Sequence, residues 1–161
     1  MTKISYEVIQ LAKLSGFSPI ITTASLHNSE LLEGFGATHV IDRKADVPEK
    51  VAEILKGTPV QFIYDAVANK DTQEQAWDLL SPGGTLVLVQ TSQLDKDKYK
   101  DKVVYDQVFA NVHTPQLRQL GISLYSKLTS LIESGKIKVC DFAPVCSERA
   151  VTGVISCSPT A

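Results

Sequence analysis

The chain has 161 residues, a length that suits one domain with its own core. Apolar residues make up 43% and charged residues 21%, which excludes wholesale disorder, and the net charge of −2 gives no basic field for nucleic acid or anionic lipid. The sequence shows no apolar leader and no apolar run of the roughly 20 residues that cross a bilayer, so we expect a cytoplasmic protein without a membrane partner.

Helices and strands alternate in the first third of the chain. A stripe of Ile4, Val8, Leu11 and Ala12 predicts a helix that ends at Gly16, because these apolar residues share one helical face. Further strands are predicted by β-branched runs, and further helices begin at Asn or Pro and end at Gly. These elements are a strand over 18–24, a helix over 28–35, a strand over 39–41 and a helix over 48–56.

The same alternation continues to the end of the chain. The predicted elements are strands over 60–66, 85–89, 103–110 and 137–139, and helices over 71–80 and 114–134. The mixed charges of residues 93–102 predict an exposed loop. A stripe of leucines on the long helix predicts a face packed in the core: Leu117, Leu120, Leu124, Leu128 and Leu131. We expect a domain over residues 1–146 and a loosely held tail over residues 147–161.

This order of elements predicts an α/β fold, a Rossmann-like, doubly wound and mainly parallel sheet with helices on both faces. In such sheets, ligands bind beyond the carboxyl ends of the strands, where the strand order reverses. The residues directly after each strand are therefore the candidates for a binding site.

Small polar residues follow the first predicted strand, at the position that meets the adenosine ribose in a dinucleotide fold. Ser25 and Asn28 stand here, with no carboxylate to bind a 2′-hydroxyl, and Arg43 follows the next strand. This set favours NADP over NAD. Ser25–Asn28 is also compatible with an ordinary helix N-cap, and Arg43 with a surface ion pair to Asp42 or Asp46.

The sequence indicates no catalytic residue and no metal site. Asp65 ends the third strand, where an acid more often caps backbone amides than acts in catalysis, and His39 and His113 have no recognisable partners. Three cysteines lie near the C-terminus without metal-ligand spacing, at Cys140, Cys146 and Cys157. We interpret them as reduced thiols, with a chance disulfide or a zinc site as the alternative.

Five motifs in a fixed order resemble the cofactor domain of zinc-independent medium-chain reductases, which include quinone oxidoreductases and fungal trans-enoyl reductases. The motifs are IQLAK at 9–13, IITTAS at 20–25, GATHVID at 36–42, FIYD at 62–65 and GGTLV at 83–87. The resemblance runs from about residue 4 to residue 139, and it implies NADP(H) as the cofactor.

Carried over by position, the resemblance implies contacts to the cofactor from five residues. Ser25 and Asn28 match the contacts to the 2′-phosphate and ribose, and Arg43 stands where many members have a tyrosine. Val67 and Gln90 match the contacts to adenine and to the nicotinamide ribose.

The departures from the family concern both ends. The family carries a strand and a glycine-rich phosphate turn before residues 9–13, whereas no glycine precedes Gly16 here. We also expect the family's catalytic domain to be missing. We therefore expect a truncated domain that binds NADP(H) weakly or not at all and has no turnover alone. The alternative is a non-catalytic interaction protein on a retired reductase scaffold. Because a lost central strand leaves unpaired edges, we also expect a homodimer or a protein partner. A tail over 147–161 that covers the gap is the competing possibility.

Overall fold

The computed structural model of the chain describes residues 4–95, 101–106, 111–139 and 151–156, with the backbone alone at residues 4, 5 and 151–156. Its helices and strands alternate for most of this length, as the sequence predicts. In chain order they are α1 (Ile4–Leu14), β1 (Ile20–Ala24), α2 (Ser29–Phe35), β2 (His39–Asp42), α3 (Val47–Leu55), β3 (Phe62–Asp65), α4 (Lys70–Leu79), β4 (Thr85–Leu88), β5 (Val103–Tyr105), α5 (Arg118–Glu133) and β6 (Val151–Ser156).

One sheet of six strands has the order β2-β1-β6-β3-β4-β5. The pairs β1–β2, β3–β4 and β4–β5 are parallel, whereas β6 is antiparallel to both of its neighbours. The chain runs outward from β1 to β2 on one side, and outward from β3 through β4 to β5 on the other. The prediction of a doubly wound, mainly parallel α/β sheet is confirmed, and the strand order reverses at the position of β6.

The central strand comes from the segment that the sequence predicts to be a loosely held tail. Within that segment the structure has the strand Val151–Ser156, which pairs with β1 on one side and with β3 on the other. Its β-branched residues suit a strand between two neighbours, although they are too few to show a period in the sequence. The strand thus lies in the gap that the sequence predicts between β1 and β3.

Helices cover both faces of the sheet. Alternate residues of a strand point to opposite faces, so Ile20 packs against α1 and α2, whereas Ile21 belongs to the cluster formed with α3 and α4. The buried apolar residues of α1 are Tyr6, Ile9 and Ala12, while Leu11 of the predicted stripe is exposed. The helix is therefore rotated relative to the prediction, because Tyr6 packs its ring against Phe35 of α2.

The last third of the chain departs most from the prediction. The leucine stripe of α5 is not a core face, since Leu120 is 62% exposed and Leu124 is also exposed. Residues 137–139 form no strand; the segment is held instead by hydrogen bonds between the backbone of Lys138 and the side chain of Gln10. The predicted strand over 103–110 is present as Val103–Tyr105, and its residues 107–110 lie outside the described residues.

Part of the predicted charged loop is anchored to the fold. Lys102 donates a hydrogen bond from Nζ to the carbonyl oxygen of Trp77 at 2.7 Å, and the same ammonium lies 4.7 Å from the centre of the Trp77 ring. These contacts tie the start of β5 to the end of α4. Residues 96–100 of the loop lie outside the described residues.

Candidate functional site

The carboxyl ends of the parallel strands meet at one edge of the sheet, as the fold requires. Ala24 at the end of β1 pairs with Asp42 at the end of β2, and Asp65 at the end of β3 pairs with Leu88 at the end of β4. The segments that follow these four strands therefore share one edge, and they contain all five predicted contact residues.

Ser25 and Arg43 directly follow the paired residues Ala24 and Asp42, which makes them neighbours at this edge. Ser25 is half-buried in an extended conformation, and its side chain does not cap the short 3-10 turn over Leu26–Asn28. Arg43 is exposed, and its backbone N–H donates to the carbonyl oxygen of Ala24 at 3.0 Å. This backbone bond holds the segment after β2 against the end of β1, next to Ser25.

Asn28 is buried at the start of α2. It occupies the N-cap position of α2, but its side chain accepts no capping hydrogen bond. The residue is only 3% exposed, and within the described part of the chain its Nδ2 has no hydrogen-bond partner. A buried donor without a partner is unfavourable, so this amide has an unmet requirement for an acceptor close to the sheet edge.

Asp42 and Asp46, the two acids that could pair with Arg43, each accept a hydrogen bond from a backbone amide. Asp42 Oδ1 accepts a hydrogen bond from the N–H of Lys44, and Asp46 Oδ1 accepts one from the N–H of Glu49 as the N-cap of α3. Both carboxylates shape the loop that carries Arg43.

Asp65 organises the loop that follows β3. Its Oδ1 accepts hydrogen bonds from the N–H groups of Val67 and Ala68, both at 2.9 Å, and its Oδ2 accepts one from the Thr72 hydroxyl at 2.6 Å. The side chain is buried and directed into its own loop. The interpretation of Asp65 as a cap for backbone amides is therefore confirmed, and through these bonds it fixes the position of Val67.

A second buried polar side chain, Gln73, joins the loop after β3 to the loop after β4. Its Nε2 donates to the carbonyl oxygens of Ala68 and Thr91, and its Oε1 accepts from the N–H of Gln93 at 2.7 Å. Sequence reasoning missed this residue. The available signal was a glutamine at an apolar position of the α4 stripe, three residues before Ala76.

Gln90 lies just before two residues whose backbone is held by hydrogen bonds, Thr91 and Ser92. It is exposed in the segment after β4, close in sequence to the Gln73-bonded residue Thr91. The next residue, Ser92, donates its N–H to Asp106 Oδ2 at 3.1 Å, which ties this segment to the end of β5. The structure thus places Gln90 and Val67 in two loops that Gln73 bridges.

Near the middle of this edge, β6 begins and the carboxylate of Glu7 lies in the first turn of α1. Val151 of β6 pairs with Ala24, so β6 enters the sheet at the edge where the parallel strands end. Burial raises the pKa of the Tyr64 hydroxyl above its ordinary value, and the carboxylates of Glu7 and Asp65 raise it further. Glu7 lies in the first turn of α1, so the helix start nearest this region carries an acid.

A nicotinamide dinucleotide therefore fits this edge only in part. Ser25 supplies a hydroxyl and Arg43 an exposed cation at neighbouring positions of this edge. The pyrophosphate of such a cofactor requires a glycine turn and free helix amides after the central strand. Here the central strand begins at the edge instead of ending there, and Glu7 repels an anion. The residues present do not fit the pyrophosphate.

Away from the sheet edge, a cavity and the potential metal ligands were considered as candidate sites. An open cavity of about 570 Å³ lies along α2, lined by His27, Glu30, Leu31, Gly34, Phe35, Lys138 and Val139, and it includes none of the five predicted contacts. In the ranges that the structure describes, no three His, Cys, Asp or Glu residues group to hold a metal ion. Cys140, Cys146 and Cys157 lie outside those ranges. No described helix is long and apolar enough to span a membrane.

Comparison with known proteins gives a consistent result. The model of the family described as zinc-binding dehydrogenase matches residues 5–133. The chain is 25% identical over 146 residues to the trans-enoyl reductase FSL5 of Gibberella zeae, covering 81% of this chain and 40% of the relative. It is 32% identical over 101 residues to the uncharacterized protein YLR460C of Saccharomyces cerevisiae, covering 62% of this chain and 26% of the relative.

Among solved structures, the Escherichia coli quinone oxidoreductase complexed with NADPH matches with a TM-score of 0.70 and 26% identity, over 85% of this chain and 44% of that protein. The CurK enoyl reductase matches in fold with a TM-score of 0.63 and 24% identity, over 82% of this chain and 41% of that protein. The chain thus spans less than half the length of these relatives, and its fold is the Rossmann-like fold of such reductases.

Proposed function

The chain belongs to the zinc-binding dehydrogenase family, and on that premise we propose that it is the cofactor domain of an NADP(H)-dependent enoyl or quinone reductase type, with weak cofactor binding and no turnover alone. The observation that carries the proposal is the sheet edge. At this edge we propose that Ser25 and Arg43 contact the adenosine side of the cofactor, and that the start of β6 and the Glu7 carboxylate disfavour its pyrophosphate.

The weakness of binding follows from the missing phosphate contacts. Charge-assisted hydrogen bonds contribute about 1.5–3 kcal/mol each. Loss of two therefore weakens binding by about two to four decades, because each 1.4 kcal/mol is a factor of ten. Relative to a reductase that binds its cofactor at about 1 μM, we expect a dissociation constant of about 10⁻⁴ M or weaker.

Titration of the purified chain with NADPH and with NADH, followed by calorimetry, tests this proposal. We expect weak binding with a preference for NADPH. The Arg43→Ala variant should lose about tenfold in NADPH affinity and little in NADH affinity, since only NADPH carries the 2′-phosphate. Lys44→Ala is the matched control, because it removes the neighbouring exposed charge. Low-micromolar NADPH binding, or equal losses in both variants, would contradict the proposal.

Turnover is tested separately, by NADPH consumption with quinones or enones against a heat-inactivated control. Hydride transfer requires an acceptor fixed against the nicotinamide, and the five proposed contacts serve the cofactor alone. We expect no consumption above the control. Clear consumption would show that the chain supplies an acceptor site of its own.

A non-catalytic interaction protein is the second candidate, favoured by the exposed apolar side chains of α5 and β5. Large apolar residues are exposed on both elements: Val103, Tyr105, Leu120, Ile122, Leu124, Tyr125 and Ile132. Association with another molecule would remove these apolar side chains from water. We accordingly propose a homodimer or a complex with a partner protein. Complete absence of NADPH binding, together with a stable complex, would favour this candidate over the first.

Light scattering at low micromolar concentration tests the association. A gap between β1 and β3 was the reason from the sequence to expect association, but β6 fills that position. The expectation therefore depends on the exposed apolar side chains of α5 and β5. Tyr125→Lys should lower the associated fraction, whereas Lys127→Ala on the same helix should not. A monomer mass for the unaltered chain would contradict the proposal.

We also propose a cytoplasmic location, because reduced cysteines would suit that compartment.

A further inference from the structure

One buried side chain joins the loop after β3 to the loop after β4. Gln73 is fully buried on α4, and all three hydrogen bonds of its amide go to backbone groups of these loops. Its Nε2 donates to the carbonyl oxygen of Ala68 at 2.8 Å and to that of Thr91 at 3.2 Å. Its Oε1 accepts from the N–H of Gln93 at 2.7 Å. The amide is therefore fully satisfied by two segments that are separate in the sequence.

The chemistry of this bridge requires glutamine. Two donors on one nitrogen and an acceptor oxygen are used at the same position, and a primary amide supplies both. An ionised glutamate has no donor and would place its charge against the carbonyl oxygens of Ala68 and Thr91, while methionine supplies no strong donor or acceptor. The opposite orientation of the amide fails as well, because Nε2 would then face the N–H of Gln93. The bridge thus has a single arrangement, which fixes the separation of the two loops.

In the loop after β3, the bridge acts on a residue with an uncommon backbone conformation. Ala68 has a φ of 52°, in the left-handed region that non-glycine residues seldom adopt, and it is fully buried. Asp65 Oδ1 accepts from its N–H, and Gln73 donates to its carbonyl oxygen. Such a conformation persists only where the surrounding groups determine it. Asp65 and Gln73 together therefore set the backbone directly after Val67.

In the loop after β4, two neighbouring residues are held by different elements. Gln73 donates to the carbonyl oxygen of Thr91, and Asp106 at the end of β5 accepts from the N–H of Ser92 at 3.1 Å. Gln90 is exposed directly before these residues. The peptide that follows Gln90 is therefore fixed through Gln73.

We propose that Gln73 is a positioning residue of the cofactor site, which joins the loops after β3 and β4 into one unit so that Val67 and Gln90 meet a bound NADP(H) together. Gln73 does not touch the ligand, because its side chain is fully buried, and it acts through Ala68 and Thr91. The identity of the ligand rests on the proposed function, whereas the joining of the loops is a property of the ligand-free chain. Two measurements separate these statements.

Hydrogen exchange of the ligand-free full chain, read by residue, tests the joining of the loops. Gln73→Met removes all three hydrogen bonds at a similar side-chain length, so the amides of Ala68 and Gln93, in different loops, should each exchange about tenfold faster. Gln75→Met, at an exposed glutamine of the same helix, is the matched control and should leave both amides unchanged. Faster exchange in only one loop or in neither would overturn the proposal, as would an equal acceleration throughout β1.

Titration of the ¹⁵N-labelled chain with NADPH tests the positioning role. In Gln73→Met we expect the amide shifts at Val67 and Gln90 to be lost while those at Ser25 and Arg43 remain, a pattern that a general loss of stability does not produce. Unchanged shifts at Val67 and Gln90, or a parallel loss at all four residues, would overturn the positioning role. No shifts anywhere in the unaltered chain would contradict the proposed function and the ligand named here, and the exchange measurement would then decide whether Gln73 joins the loops.

If Gln73→Met does not fold, hydrogen exchange of the unaltered chain decides. Gln93 is exposed in a loop, yet its N–H is bonded to the oxygen of buried Gln73. Its amide should therefore exchange at least about tenfold more slowly than an unstructured amide. Exchange of Gln93 at the unstructured rate would overturn the proposal.

Discussion

Replacing Asp65 with alanine removes the acceptor of three hydrogen bonds at the carboxyl end of β3. The N–H groups of Val67 and Ala68 and the hydroxyl of Thr72 each lose their partner. Ala68 is fully buried, so its amide does not regain water without local rearrangement. We therefore expect Asp65→Ala to be among the most destabilising polar substitutions in the described part of the chain.

The magnitude follows from the bonds that are lost. Each buried donor left without a partner destabilises by about 1–3 kcal/mol. Removing a buried carboxylate also relieves its desolvation, and water reaches the half-exposed donors, so the net loss should be about 3 kcal/mol. A domain of this size is stable by about 5–15 kcal/mol, so the variant should remain folded.

Urea denaturation followed by circular dichroism measures this loss. With a slope of about 2 kcal/mol/M, the midpoint of Asp65→Ala should fall by about 1.5 M. Asp65→Asn keeps an oxygen for the two amides, and Thr72→Val removes one bond, so each should lose only about 1 kcal/mol. A free energy of unfolding for Asp65→Ala within about 0.5 kcal/mol of the unaltered chain would refute the assigned role of Asp65. Equal losses in Asp65→Asn and Asp65→Ala would refute it as well.

Three further substitutions test separate parts of the structure. Lys56 ends α3 at a positive φ of 48°, a conformation that glycine adopts more readily than lysine. Lys56→Gly should therefore raise the free energy of unfolding by about 0.5–1 kcal/mol in urea denaturation. A lower free energy of unfolding would show that the backbone at Lys56 is not strained. The raised pKa of Tyr64 means that its neutral form is favoured in the folded state. This stabilisation is present below pH 10 and is lost as pH rises through the folded pKa. Glu7→Gln should lower that pKa in an ultraviolet titration, and an unchanged midpoint would show that Glu7 is too distant. Gln10→Ala should destabilise the chain by about 1–2 kcal/mol and expose the Lys138 amide to exchange, whereas unchanged exchange would exclude these hydrogen bonds.

The parallel part of the fold was predictable because its signals are local. The runs over Ile20–Ala24 and Phe62–Asp65 are apolar and β-branched, and each is followed by a residue that begins or shapes a turn. The role of Asp65 was predictable for the same reason, since an acid directly after a strand has backbone amides within reach.

The central strand was not predictable from local pattern. Val151–Ser156 has too few residues to establish a period, and its partners lie more than 80 residues earlier in the chain. Its position depends on a gap between β1 and β3, which is a property of the whole topology. The sequence predicted a gap and offered a covering tail as the alternative to association, but it gave no indication that residues of the tail form a strand.

The exposed face of α5 shows the limit of periodicity. Leucines at positions 120 and 124 indicate an apolar face but not which surface covers it. Gln73 shows the opposite limit, because a single glutamine within an apolar stripe gives no indication that it bridges two loops. In both cases, tertiary contacts decide what the local sequence leaves open.

An NMR titration of the ¹⁵N-labelled full chain with NADPH tests the proposed function most directly, since it reports affinity and location together. We predict amide shifts in fast exchange at Ser25, Arg43, Val67 and Gln90, with a midpoint at about 10⁻⁴ M or weaker. Slow exchange with low-micromolar affinity would contradict the weak pyrophosphate site. Shifts confined to other residues, or no shifts at all, would contradict the assignment of this edge as a cofactor site.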